Sequence, residues 1–168
     1  LLTDNRGYVS EVTAPLYGIE ITELSSGINV DDEYEGSMTL YPVNFSAEQR
    51  AGVLTLPSVL ALRAHPVHPS PILRGTFILN QMACLTLGSP PPGAESEAPP
   101  DTLDIISTNR QRTEQVTSPD SCAVCHNTIN PPGFAFENYD SLGRWRQQIG
   151  DKPVDATSTL FNNQSLQG

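Results

Sequence analysis

Basic residues are scarce in this chain. Nine Lys and Arg stand against nineteen Asp and Glu, a formal net charge of −10. A nucleic-acid binder needs a basic footprint to neutralise phosphates, so that function class is set aside. Charged residues of both signs amount to 17%, below the usual share of about 25%, which speaks against a coiled coil or a charged disordered tail. No apolar run exceeds a few residues, so no membrane span is expected. Three cysteines are too few, and odd in number, for a disulfide scaffold. The chain opens at Leu1 with neither a positive n-region nor an apolar h-region; this reads as a mature product or part of something longer.

What is abundant is Gly and Pro, 12 and 15 of 168 residues, above their usual combined share of about 12%. The length suits one domain, and the composition describes a loop-rich globular chain. Val9, Val12, Leu16 and Ile19 are spaced as one face of a short helix, with a break expected at Pro15. Ile19 to Ile21 and Met38 to Val43 read as short strands around a polar, acidic loop from Ser25 to Ser37. Ala51 to Ala64 reads as helical and ends at His65-Pro66-Val67-His68-Pro69-Ser70-Pro71. Ser70 and Pro71 then supply an N-cap and first position for a helix from Ile72 to about Leu85. Ser89 to Pro100 reads as a polyproline linker, and Asn109 to Val116 as a short polar helix. Arg144 to Ile149 and Val154 to Leu160 read as a hairpin around Gly150-Asp151.

Cys122-Ala123-Val124-Cys125-His126 is the most informative segment. Ser118-Pro119-Asp120 before it reads as a helix start, with Ser118 as N-cap. A helix from there places both thiols and the imidazole at i, i+3 and i+4 on one face. That suits a porphyrin: two thiols reach two vinyl groups and the imidazole reaches the iron. C-x-x-C-H is the sequence of c-type haem attachment. Random placement of these residue types produces it about once in a thousand chains of this length. A thioredoxin-type redox pair would want a preceding strand and a βαβ unit. Zinc held by Cys84, Cys122, Cys125 and His126 would want a second paired motif.

Downstream, Asn130-Pro131-Pro132-Gly133 is expected to turn the chain sharply. The carbonyl of Pro131 or Pro132 is then the expected acceptor for His126 Nδ1–H. Phe134, Phe136, Tyr139, Leu142 and Trp145 are expected as apolar walls, with Arg144 and Arg146 beside haem propionates. A Trp-centred core with two solvated arginines explains the same composition. After His126 the chain contains no further Met or His. A sixth iron ligand from these types must therefore come from upstream, with His65, His68, Met82 and Met38 as candidates and His65 and Met82 in front. Cys84 reads as a small buried residue.

The run from Cys122 to His126, then Pro132-Gly133-Phe134-Ala135-Phe136-Glu137-Asn138-Tyr139-Asp140, Gly143-Arg144-Trp145-Arg146 and Val154-Asp155-Ala156, resembles one bacterial family. It is similar to the cytochrome-c-like domains of large secreted proteins of planctomycetes and myxobacteria. Upstream, Arg50-Ala51-Gly52-Val53-Leu54-Thr55 and Ser70-Pro71-Ile72-Leu73-Arg74-Gly75 agree with that family, and Leu16-Tyr17-Gly18 resembles the end of a preceding domain. The resemblance implies one covalently attached haem c and an extracytoplasmic setting, periplasmic, secreted or at the cell surface. The expected fold is mainly α with extensive loops, a cytochrome-c-like haem helix plus short β-hairpins. Residues 1–48 would end a preceding helical and strand region. Residues 49–100 would form a helical segment and Pro-rich linker, and residues 101–168 the haem-binding segment, all in one compact unit. The expected function is electron transfer, with a basic redox partner or another cytochrome, or within a multi-subunit complex. A haem enzyme with an open distal site, and a haem-stapled structural module, are the alternatives.

Overall fold

A computed structural model describes residues 1–24, 26–32, 36–89, 108–160 and 162–167. The N-terminal quarter carries a three-stranded antiparallel sheet in the order β1-β3-β2, with β1 at Arg6–Val9, β2 at Ile28–Asp32 and β3 at Gly36–Asn44. Val9 lies opposite Tyr41, and Gly7 opposite Val43. Val9 and Val43 bury one sheet face on Ala14, and Tyr17 stacks on Phe45 with ring centroids 4.5 Å apart.

The second layer is helical. After a 3₁₀ turn at Val53–Thr55 come α1 (Pro57–Ala61) and α2 (Pro71–Phe77), the latter running on as a π-helical segment, Ile78–Met82. Helices α3 (Asn109–Val116) and α4 (Asp120–Phe134) follow. Two small two-stranded sheets close the chain: β4 (Gln148–Ile149) with β5 (Lys152–Pro153), and β6 (Ser158–Thr159) with β7 (Ser165–Leu166). As expected, Ser70 caps α2, its hydroxyl accepting from Leu73 N at 3.2 Å, with Pro71 in the first turn. Thr108 and Gln111 form a reciprocal capping box on α3.

Helices α2 and α4 pack at the closest possible range. A Cβ on Gly75 would stand 1.9 Å from the carbonyl oxygen of Ile129, and one on Gly133 would stand 1.9 Å from that of Pro71. The pairing Pro71 to Gly133 and Gly75 to Ile129 runs the helices antiparallel. Just beyond the contact, Arg74 lies buried and donates to the carbonyls of Phe136, Tyr139 and Asp140 at 2.8, 2.9 and 2.8 Å. A cation there satisfies orphan carbonyls after α4 and complements the helix dipole. Burial lowers the Arg74 guanidinium to about 10, so it stays charged at neutral pH. Arg50 does similar work between layers. It lies between the rings of Tyr17 and Tyr139 and donates to Gly143 O at 2.7 Å, while Tyr139 donates its hydroxyl to Gln49 O.

These observations correct the expectation of a mainly α, cytochrome-c-like fold with short hairpins. The described residues hold four α-helices and three small antiparallel sheets, a mixed architecture. The reason lies at the N-terminus, where helical spacing misled. Val9 ends a strand, Val12 sits exposed in a turn, and only Ala14–Tyr17 is helical, as a 3₁₀ turn admitting Pro15 near its start. Ile21 opens a 3₁₀ turn rather than closing a strand. The strand from Met38 to Val43 is present and longer, nine residues. The hairpin turns at Gly150-Asp151 as expected, but its second strand is only Lys152–Pro153, and Ser158–Thr159 pairs onward with Ser165–Leu166. The polyproline reading of Ser89 to Pro100 falls, apart from Ser89, outside the described residues.

Replacing Gly75 or Gly133 with Ala puts a methyl group into backbone. Each substitution is expected to destabilise by about 3 kcal/mol or more, the upper range for overpacking. Urea denaturation should show a lowered midpoint at unchanged slope. An unchanged midpoint would refute the close helix contact.

Candidate functional site

Helix α4 starts at Asp120, with Pro119 in the N-cap position at φ −54° and ψ 141°. Ser118 is not the cap; its hydroxyl donates instead to Gln115 O at 2.8 Å. Cys122, Cys125 and His126 lie in the first half of α4 at the expected i, i+3 and i+4 positions. Both cysteines are free thiols, Cys122 half-buried and Cys125 exposed, and His126 is half-buried. Cys122, His126, Ile129 and Gly133, at i, i+4, i+7 and i+11, share one stripe. Its C-terminal half is occupied by α2. The π-helical segment that continues α2 also reaches α4.

His126 Nδ1 lies 3.0 Å from Asn130 Oδ1, one helical turn on. Asn130 Nδ2 donates to Thr117 Oγ1 at 2.9 Å, and that hydroxyl donates to Thr113 O at 2.7 Å. Asn130, Thr117 and Thr113 are all buried. With Nδ1 engaged, the ring's Nε2 is left to act as a ligand.

This corrects the expectation for Pro131 and Pro132. They do not turn the chain, nor does either supply the acceptor; both lie inside α4, which continues to Phe134. Proline costs a helix its i→i−4 bonds, here those to the carbonyls of Asn127 and Thr128. The glycine contact with α2 and the Arg74 clamp hold the helix through that defect.

Residues 50–149 match the family PSCyt3, described as a protein of unknown function (DUF1588). The chain belongs to this family. PSCyt3 is a planctomycete-type, cytochrome-associated domain of unknown function. No curated protein and no solved structure matches the chain. The matched span takes in α1 to α4 with Cys122, Cys125 and His126, and leaves out the N-terminal sheet. In this PSCyt3 chain no helix of the described residues is long and apolar enough to cross a membrane.

The other expected site residues are dispersed. Arg144 is exposed and pairs with Asp140, Nε to Oδ2, at 2.7 Å. Trp145 meets Tyr139 edge-on with centroids 5.2 Å apart, and its buried Nε1 has no partner among the described residues. Arg146 turns inward to the carbonyl of Glu137, at 3.4 Å. Phe134 lies buried beneath the Arg110 guanidinium, 4.5 Å from its ring. His65 is exposed in the turn before α2, its N–H donating to His68 O at 2.9 Å. That turn precedes Pro71, which packs on Gly133, so it lies toward the far end of α4 from the cysteines. Met82 ends the π-helical segment with 41% of its surface exposed. Continuing the antiparallel pairing sets it toward the cysteine end. Cys84 is exposed rather than buried, at φ 54°, in the left-handed turn that closes the π-helical segment. Among the described residues no three His, Cys, Asp or Glu side chains gather as a metal site, so the zinc set with Cys84 is not assembled.

Two buried features escaped the sequence reading. Asn130 is His126 plus four, a spacing that points to contact once α4 is allowed to run through its prolines. Glu137 is 1% exposed; Asn109 Nδ2 donates to its Oε1 at 2.9 Å, and its Oε2 has no partner among the described residues. Burial pushes the Glu137 carboxyl above its ordinary value, against the opposing influence of the Asn109 amide and of Arg146, Arg74 and Arg110.

A raised carboxyl pKa in the folded state has a definite sign. Its stabilising contribution is full below the unfolded carboxyl's pKa, near 4.3, and is lost as pH rises through the folded value. Glu137→Gln is therefore expected to be more stable than the parent at neutral pH, with the difference vanishing in acid. Denaturation midpoints across that range check this; a deficit at neutral pH would contradict it.

Proposed function

We propose that this chain is a c-type haem module, carrying one haem and serving electron transfer in an extracytoplasmic setting. The observation that carries this reading is the first half of α4. Two free thiols and an imidazole share a helix face, and the imidazole's second nitrogen is engaged by Asn130. The donor set fits the group. Cys122 and Cys125 would form thioethers, and His126 would offer Nε2 to the iron. The cytochrome association of the family agrees with the reading.

Bound haem supplies a one-electron ferric–ferrous couple. The protein's part would be to hold the iron's ligand in one tautomer. Met82 and His65 would be the candidates for a second ligand to the iron; the segment that ends at Met82 reaches α4, whereas His65 lies toward the other end of that helix. The net charge of −10 suits a basic partner surface or a basic cytochrome, approached by charge steering.

Expression with a c-type maturation system is expected to yield a chain whose denaturing mass includes one haem. Cys122→Ser and Cys125→Ser should each remove one thioether. Met82→Ala should turn the spectrum high-spin and admit carbon monoxide, while His65→Ala leaves it unchanged. A haem-free mass would refute the module. A parent that binds carbon monoxide readily would move the function from electron transfer to ligand chemistry at an open iron.

A further inference from the structure

The hydrogen bonds beneath His126 have only one consistent direction. The Thr113 carbonyl can only accept, so the Thr117 hydroxyl, 2.7 Å away, gives its single proton there. Thr117 Oγ1 must then accept from Asn130, which fixes the amide with Nδ2 toward Thr117 at 2.9 Å. Oδ1 consequently faces His126, and since it too can only accept, Nδ1 carries the proton. The Nε2 lone pair is the one left outward. A backbone carbonyl on α3 thus decides the tautomer of a side chain on α4, through two buried side chains.

We propose that Asn130, held by Thr117, is the positioning residue that fixes the tautomer and donor strength of His126 through a neutral acceptor. The proposal rests on the haem reading for the identity of the ligand's partner, but the relay itself does not. A neutral amide withdraws the Nδ1 proton less than a carboxylate would. The imidazole therefore keeps less anionic character and favours ferric iron less. Hydrogen bonding to an axial ligand is one of the levers by which a protein sets haem potential.

Two measurements separate the relay from the haem reading. In the haem-free full-length chain, nitrogen-15 spectra of neutral His126 are expected to show the Nδ1–H tautomer. Asn130→Leu and Thr117→Val should lose that preference, and Thr117→Ser, which keeps the hydroxyl, should retain it. An Nε2–H tautomer in the parent overturns the relay whatever becomes of haem. In the haem-loaded chain, Asn130→Asp is expected to lower the midpoint potential. The shift should be at least tenfold in the redox equilibrium, 59 mV for one electron, with Asn130→Leu moving it the other way. If the buried aspartate prevents folding, Thr117→Val and its rescue by Thr117→Ser carry this arm. Potentials that stay within that tenfold limit for Asn130→Asp, or for Thr117→Val in its place, overturn the proposal. A parent that never acquires haem instead overturns the haem reading, and the tautomer spectra still decide the relay.

Discussion

The structure depends on one contact, the meeting of α2 and α4 at backbone range through Gly75 and Gly133. Each glycine faces a carbonyl of the other helix, so neither helix can rotate or slide without a clash. That contact sets where Arg74, next to Gly75, must lie, and so which carbonyls it gathers after α4. It also directs the continuation of α2, the π-helical segment, along the half of α4 that carries the cysteines. A π-helical stretch changes the residue count per turn locally and often marks a functional site.

The interior is unusually reliant on arginine. A chain with 15 prolines lacks that many amide donors while keeping every carbonyl, and its loops leave carbonyls without ladder partners. Arg50 and Arg74 answer this shortage. Both are buried, both donate chiefly to main-chain oxygens, and burial lowers the pKa of each. Arg50 joins the N-terminal sheet to the segment after α4, since Tyr17 lies on one side of it and Tyr139 on the other. Charge left on the surface is consequently still more acidic than the composition suggests.

Much of the helical layer was legible because its signals are local. Ser70 before Pro71 caps its helix by a contact within a single turn. The cysteine–histidine spacing needed only a helix around it. What misled were signals whose meaning depends on distant partners. Val9 and Val12 have helical spacing, yet Val9 is buried because β3 pairs with β1, across more than thirty residues. Pro131 and Pro132 carry a strong local bias against helix, overridden here by the α2 contact and the carbonyl clamp. Arg144 and Trp145 lie in the expected order, but Asp140 and Tyr139 already claim them.

The same override explains why His126 and its acceptor sit on one helix. Had the prolines ended α4 at Asn130, the residue following His126 by one turn would lie at a frayed end, and its amide would be free to rotate. Because the helix continues to Phe134, Asn130 is buried and can be gripped by Thr117, the residue that follows α3. The helix pays for its two prolines in lost amide donors and regains order from the glycine contact with α2. The orientation of one imidazole is therefore tied to packing at the other end of the same helix, through a backbone that neither end can relax alone.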